Sequence, residues 1–423
     1  MFLLNVGYKE NILADVEELK GAVYLAARHL NVRFTRKPSP ELARVMVDPQ
    51  LYLAGLDRST SAKTCGRLAT HPWFCVPDVA EFDSGLTSVK EWQKSVEEAA
   101  ARQWPGRAPE GELIERSCRA AIECQVGFGC THIILPAPLV TEREDEGGTL
   151  AQWLDAGLSV VSEMEAGQPV LATVAVSDIT LNEEAFGQGG FLDALVDQVS
   201  AREGLAGVYI VISQTEGAQH PFTTQDLVLR GYLHLSKAFR DGGMSSVVVN
   251  FADVFGFVCA AVGATDIASG PSQNLRRLSL AGFRDVVYGI AIPHYYSHRV
   301  IGEFSPEGDL NRLISTRLMR RVIDSTPHSQ DLIDAIANKQ TAGDLPQWAE
   351  GRNNLTASQK HFICRLSLEG ARFRKLSRQG REDVVRDWLE EAAAGFLYIR
   401  NRLGGTDIGR SAPAQRWLDL LDQ

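Results

Sequence analysis

Residues 207–270 set the pattern for the chain: apolar run, amphipathic stretch, apolar run, amphipathic stretch, apolar run. Residues 207–213 and 246–251 are rich in β-branched side chains, and 265–269 make a third, shorter run. Short apolar runs bounded by turn residues predict strands covered on both faces. Between the first two runs, Val228, Tyr232, Leu235 and Phe239 recur at helical spacing, which puts one apolar stripe on a helix. Thr223 is placed to cap its start, and Gly242 with Gly243 to end it. Buried strands alternating with amphipathic helices predict parallel βα units.

The pattern extends in both directions. Residues 1–7, 44–48, 131–136, 169–176 and 286–292 read as strands, and 150–166 and 190–203 as helices. Residues 14–30 read as helical or mixed, with 21–26 equally readable as a strand. Residues 74–82 read as a strand broken by Pro77, a residue that central strands exclude. Eight or nine strands alternating with helices between residues 2 and 292 match a (β/α)8 barrel better than an open sheet. An open sheet would more often begin with a glycine-rich phosphate loop, and none follows the first strand. Residues 88–125 are helical and charged, with a break around Pro105 and Pro109, and predict a helical insertion. Past Leu310 strands give way to helices. Val385, Trp388, Leu389, Ala392, Phe396, Ile399 and Leu403 form one long stripe ended by Gly404 and Gly405. The expected architecture is an α/β TIM-type (β/α)8 barrel over 1–310 with an all-helical C-terminal appendage over 311–423, and 341–354 reads as a loop or boundary.

Composition adds limits. The 423 residues, 44% hydrophobic and 23% charged, are ordinary for a globular chain of one large domain and a smaller one. No apolar run approaches the roughly 20 residues of a membrane helix, and residues 1–7 lack the features of a signal peptide. Seven irregularly spaced cysteines suggest a reducing compartment, so a cytoplasmic location is expected. Net charge is −10. Residues 311–423 hold 18 Lys/Arg against 14 Asp/Glu, a net of +4, which leaves −14 for the rest. An acidic body argues against nucleic-acid binding over the whole surface but leaves room for a local basic patch. The densest such cluster is Arg372, Arg374, Lys375, Arg378 and Arg381.

In a barrel the site lies at the C-terminal ends of the strands. Those ends supply Asp48, Asp83, Pro136, Asp178, Gln214, Glu216, Asn250, Asp253, Ser269, Gly270, His294, Tyr295 and Tyr296. Carboxylates, amides and aromatics together suit a small polar or planar ligand. Each also serves routinely as a helix cap or loop hydrogen-bonder. Gly270, Gln273 and Asn274 with Arg276 and Arg277 form a loop of the kind that binds phosphate after a late barrel strand. The alternative is a Gly-Pro turn with surface arginines. Cys118, Cys124 and Cys130 are six apart, and His294 and His298 lack an intervening Glu, so neither set makes a metal motif. No cofactor or metal is expected.

Two segments resemble the tRNA-guanine transglycosylase superfamily of barrels. One is Asp83-Ser84-Gly85 after a strand. The other is the run from Gly263 through Asp266, Ser269, Gly270, Pro271 and Asn274 to Arg276. Gln214 also sits roughly where that family keeps a base-reading Gln. The resemblance covers about residues 40–300. It implies that Asp83 handles an exchanged base. It also marks the departures: Leu86 replaces a glycine, Ser269 stands where the family has its nucleophilic Asp, and the zinc-binding cysteines are absent. The resemblance thus implies a diverged nucleobase- or nucleotide-handling barrel doing base exchange or N-glycosidic chemistry; Asp83 would then contact the base or act as general acid/base, and among the strand-end carboxylates Asp178 or Asp253 would be the substitute catalytic carboxylate. Gln214, Asn250, Ser269, Gly270, Gln273, Asn274 and Arg276 would bind substrate. The alternative is a non-catalytic subunit that docks RNA, DNA or a protein through Arg372, Arg374, Lys375 and Arg378 on its C-terminal helices. A third reading is an ordinary barrel enzyme acting on a phosphorylated metabolite.

Overall fold

The structure is a computed structural model. It describes residues 1–423 except 8–9, 77–88, 143–147, 216–221, 286–291, 339, 352–353 and 407, and of residues 89–93 it describes the backbone only. Among the described residues eight parallel strands form one sheet: β1 (Phe2–Val6), β2 (Gly21–Leu25), β3 (Arg44–Asp48), β4 (Ile133–Ile134), β5 (Val170–Ser177), β6 (Gly207–Ser213), β7 (Ser246–Asn250) and β8 (Asp266–Ser269). Their order is β3-β2-β1-β8-β7-β6-β5-β4. The two ends meet where Thr131 N–H donates to the Val45 carbonyl (2.8 Å) and its Oγ1 accepts from Val45 N–H (3.1 Å). The ring is therefore a barrel that closes between β3 and β4. The run expected over 74–82 begins as a short turn at Pro72–Phe74. The part from Pro77 on, Asp83 and most of the run at 286–292 lie outside the described residues.

β2 settles the ambiguity at 21–26 as a strand, and every one of its residues is buried. The barrel helices are α1 (Asn11–Asp15), α2 (Arg58–Ala69), α3 (Val89–Arg102), α4 (Leu113–Phe128), α5 (Thr149–Glu163), α6 (Phe191–Ser200), α7 (Asp226–Asp241), α8 (Gly256–Val262) and α9 (Gln273–Arg276). α7 starts after Thr223, whose side chain is buried instead of capping it. Its far end matches the expectation, with Gly243 at φ +93°, the left-handed region that glycine adopts freely. The extra helices expected at 88–125 are α3, laid against α2, and α4, laid against α5.

The C-terminal part is not purely helical. A small antiparallel sheet of β9 (Tyr295–Ser297), β10 (Gly302–Phe304) and β11 (Arg410–Ser411) accompanies α10 (Asn311–Ser315), α11 (Gln330–Ala337), α12 (Thr356–Phe373), α13 (Arg378–Arg402) and α14 (Ala414–Leu421). α1 is a single short turn, so β1 gets its outer cover from α12. The contact is close enough to require glycine: a Cβ on Gly370 would stand 2.6 Å from the Phe2 Cβ. Gly370→Ala is expected to cost about 1–3 kcal/mol by overpacking, read as a lower urea midpoint. An unchanged midpoint would mean that α12 can lift off β1. α13 packs on α8 in the same way, and side chains of α12, α13 and α14 share one apolar core with the barrel.

Candidate functional site

The chain after β8 does not leave the barrel at once. Leu275 lies over β1, where its carbonyl accepts from Asn5 Nδ2 (2.8 Å). Leu278 pairs with Ser213 at the end of β6, and its carbonyl accepts from Gln214 N–H (2.8 Å). The Phe283 carbonyl accepts from Thr64 Oγ1 on α2 (3.3 Å), and the Phe283 ring lies 5.1 Å from the Arg28 guanidinium just past β2. β6 and β2 stand opposite each other in an eight-strand ring, so residues 270–285 form a strap across the mouth. Gly270 is explained by this path, because a Cβ there would run into Leu275.

Below the strap the barrel interior holds a chain of buried polar side chains. The Asp48 carboxylate accepts from Tyr52 Oη (2.6 Å), Tyr209 Oη (2.8 Å) and Gln50 N–H (2.9 Å). Asn250 Nδ2 donates to Tyr209 Oη, and Asn250 Oδ1 accepts from Asn5 Nδ2 (2.7 Å). This chain joins β3, β6, β7 and β1. Burial pushes the Asp48 carboxyl up to about 6, against the pull of the two phenols. Asn250, expected to bind substrate, is occupied as a structural link. Its partners Asn5 and Tyr209 were not singled out from the sequence. Their signal was a lone polar group inside an apolar strand.

β5 and β6 are the longest strands and extend past the rim, flanked by bridges to Val140 on one side and Leu278 on the other. Ser177 and Ser213 are in register, so Asp178 and Gln214 follow side by side. Thr215 fixes one carboxylate oxygen of Asp178 through its N–H (2.6 Å) and Oγ1 (2.8 Å). The other oxygen, Oδ1, is buried without a partner, and so is Nε2 of the buried Gln214. Unmet buried polar atoms are costly. Here an acceptor and a donor follow the in-register ends of two neighbouring strands. Glu216, the next strand-end carboxylate, lies outside the described residues.

A second charged group sits where the small sheet meets β7 and β8. Asp253, Arg276, Arg277 and Glu303 are each at most 6% exposed. The Arg276 guanidinium bonds Glu303 and the carbonyls of Gly270 (3.3 Å) and Pro271 (3.4 Å), and lies 3.6 Å from the centre of the Phe362 ring. Burial raises the Glu303 carboxyl, but the Arg276 guanidinium outweighs that and holds it below its ordinary value. The expectation that Arg276 holds phosphate is corrected: its donors are committed inside the fold. Gln273 and Asn274 are half-buried beside it, with Asn274 Oδ1 accepting from Ser272 Oγ (2.7 Å). Asp253 differs from Glu303. Both of its oxygens lack hydrogen-bond partners, its backbone is in the left-handed region (φ +53°), and burial pushes its carboxyl up to about 7.

Ser269 is not part of the mouth. It is in register with Leu4, and Ile267 with Phe2. Phe2 faces α12 and Ile267 faces Gly256 of α8, so this set of residues lies on the outer side of the barrel. Arg372, Arg374, Lys375 and Arg378 sit around the α12–α13 turn. Arg372 pairs with Glu369 (3.6 Å) and Arg378 with Asp241 (2.6 Å). The neighbouring Arg381 is within electrostatic reach of Asp266, which bonds Arg44 where β8 and β3 begin. The basic cluster is therefore at the N-terminal end of the barrel, opposite the mouth. His294 and His298 do not share a site: the His298 ring stacks on Trp388 at 4.5 Å, and burial drives it toward the neutral form. Among the described residues no group of three or more His, Cys, Asp or Glu is placed to hold a metal. No described helix is long and apolar enough to cross a membrane.

The fold and the rim define a (β/α)8 barrel with a strapped mouth and an acceptor–donor pair at the ends of β5 and β6. No protein-family model matches the chain, and no curated protein matches it in sequence.

Proposed function

We propose that the chain handles a nucleobase or nucleotide at the barrel mouth, with Asp178 and Gln214 reading one edge of the base. The observation that carries this reading is that Asp178 Oδ1 and Gln214 Nε2, just past the in-register ends of β5 and β6, are both buried without a hydrogen-bond partner. A carboxylate oxygen beside an amide N–H complements a planar edge that offers an N–H next to a carbonyl or ring nitrogen. Nucleobases have that edge, and sugars and simple phosphates do not. Thr215 supports the reading by locking the other carboxylate oxygen, which fixes the direction of the free one. The resemblance to transglycosylases points the same way, since Gln214 stands where that family reads its base.

In this reading Asp253 is the acid/base group. A carboxyl pushed up to about 7 exchanges a proton readily near neutral pH, and the strap that carries Arg277 beside Asp253 also carries Leu278 beside Gln214. Asp83 keeps the base-handling role that the resemblance implies. The test is calorimetric titration with free purines and pyrimidines. At least one is expected to bind, and Gln214→Leu or Asp178→Asn is expected to weaken it by about tenfold or more. If no base or nucleoside binds the wild-type protein, or both variants bind it equally well, the reading is wrong.

Ser269 favours a second reading, a barrel that binds its ligand without turning it over. A hydroxyl on the outer side of β8 cannot replace a carboxylate nucleophile. Loss of all turnover in Asp253→Asn, with base affinity retained, would decide for the catalytic reading; a wild-type protein that binds a base and shows no turnover would decide for the binding one.

A further inference from the structure

The far end of α13 carries a basic surface unlike the cluster at its start. Between Asp309 and Asp324 the chain has four arginines, Arg312, Arg317, Arg320 and Arg321, and no carboxylate. Between Glu391 and Asp407 it has Arg400 and Arg402 and again no carboxylate. The fold brings the two stretches together. Ile399 and Leu403 share a core with Leu313, Leu318, Met319 and Val322. On the outer side of that contact lies Tyr398, 40% exposed, with Leu397 at 57% beside it. The Arg321 guanidinium is 4.9 Å and that of Arg402 5.8 Å from the centre of the Tyr398 ring.

This surface is on the mouth side. The same small core holds Tyr295 and Phe304, and the neighbouring Glu303 anchors Arg276 of the strap. Tyr398 is 20 residues beyond Arg378 along one helix, a rise of about 30 Å from the opposite end of the barrel.

We propose that Arg321, Arg402 and Tyr398, with Arg317 and Arg320, dock a single-stranded nucleic acid and lead it to the mouth. Arginines supply the phosphate contacts. An exposed phenol flanked by guanidinium planes is the kind of platform on which unstacked bases lie. An acidic protein would use the charges but has no need of the ring, and a membrane surface would call for lysines and a broader apolar face. The chain as a whole is acidic, at −10, so this surface is a local exception and fixes where the polymer lies. The proposal stands apart from the base-reading pair: it concerns the polymer, and the pair concerns one base.

The experiment is fluorescence anisotropy of the full chain with a short labelled single-stranded RNA of mixed sequence, across a salt series. The wild type is expected to bind at low salt. The double variant Arg321→Gln, Arg402→Gln should bind about tenfold or more weakly, with the salt slope reduced by about 1.4, two contacts at about 0.7 each. Tyr398→Leu should weaken binding by about tenfold and leave the slope unchanged. Arg374→Gln with Lys375→Gln should change neither. Absence of binding at low salt, an unchanged affinity in the double variant, loss only in the Arg374 and Lys375 variant, or equal competition by polyglutamate would each overturn the proposal. Titration with free bases is independent of this surface, so failure here leaves the Asp178–Gln214 reading standing, and the reverse holds too.

Discussion

Arg276→Ala is expected to destabilise the protein by about 3–5 kcal/mol, the largest effect of any single substitution considered. The reason is what remains behind. Glu303 is 4% exposed and bonds Arg276, so the variant leaves a buried carboxylate without the cation that bonds it. The Phe362 ring also loses the guanidinium 3.6 Å above it, and the Gly270 and Pro271 carbonyls lose a donor. Replacing both charges together, Arg276→Met with Glu303→Leu, should recover most of the loss, because the two bonded charges are then removed together. Urea unfolding of the two variants and the wild type gives the comparison directly. A wild-type midpoint in Arg276→Ala, with weaker binding of inorganic phosphate, would return the arginine to the ligand role that its place after a barrel strand first suggests.

Asp253→Asn is expected to stabilise the protein, and only above acid pH. At pH 4 the carboxyl is largely protonated in the folded state, and the unfolded state is partly so, with its value of 3.8. As pH rises toward 7, the unfolded chain has given up this proton while the folded chain keeps it, so wild-type stability falls. Above about 7 both states are ionised and the deficit is constant. The displacement from 3.8 to about 7 corresponds to about 4 kcal/mol at about 1.4 kcal/mol per pH unit. Asn is neutral, has nearly the same shape, and tolerates the left-handed backbone at this position. The variant's midpoint should therefore come close to the wild type's near pH 4, exceed it increasingly up to about pH 7, and keep a constant lead above that. A difference that does not vary with pH would show that Asp253 is ionised and paired in the folded protein.

Much of the barrel was legible because parallel strands covered on both faces must be apolar throughout, and seven of the eight stood out on that basis. β2 did not, since five small and apolar residues after Gly21 fit either period. The small sheet escaped because its strands have two or three residues each, too few to show any period. The site was less legible, for reasons of partnership across long stretches of sequence. Nothing near Arg276 announces that Glu303 will take its charge. Nothing near Asn250 announces Asn5, which is 245 positions away. Asp178 and Gln214 both stand at strand ends in the sequence, but only the Ser177–Ser213 register makes them neighbours. For Ser269 the signal was already in the chain. It lies three residues after Asp266, and an odd offset along a strand places two side chains on opposite faces.

The cover that α12 gives β1 bears on how the chain is made. When β8 leaves the ribosome, every strand of the ring has been synthesised, but the outside of β1 still has no partner. Phe2 and its neighbours must wait for Gly370, about a hundred positions later, before that side is shielded. Through that interval the nascent protein presents a bare apolar strand beside β8, which α8 already covers. Its yield in a cell should therefore track the supply of chaperones that hold extended apolar segments, more than the stability of the finished molecule.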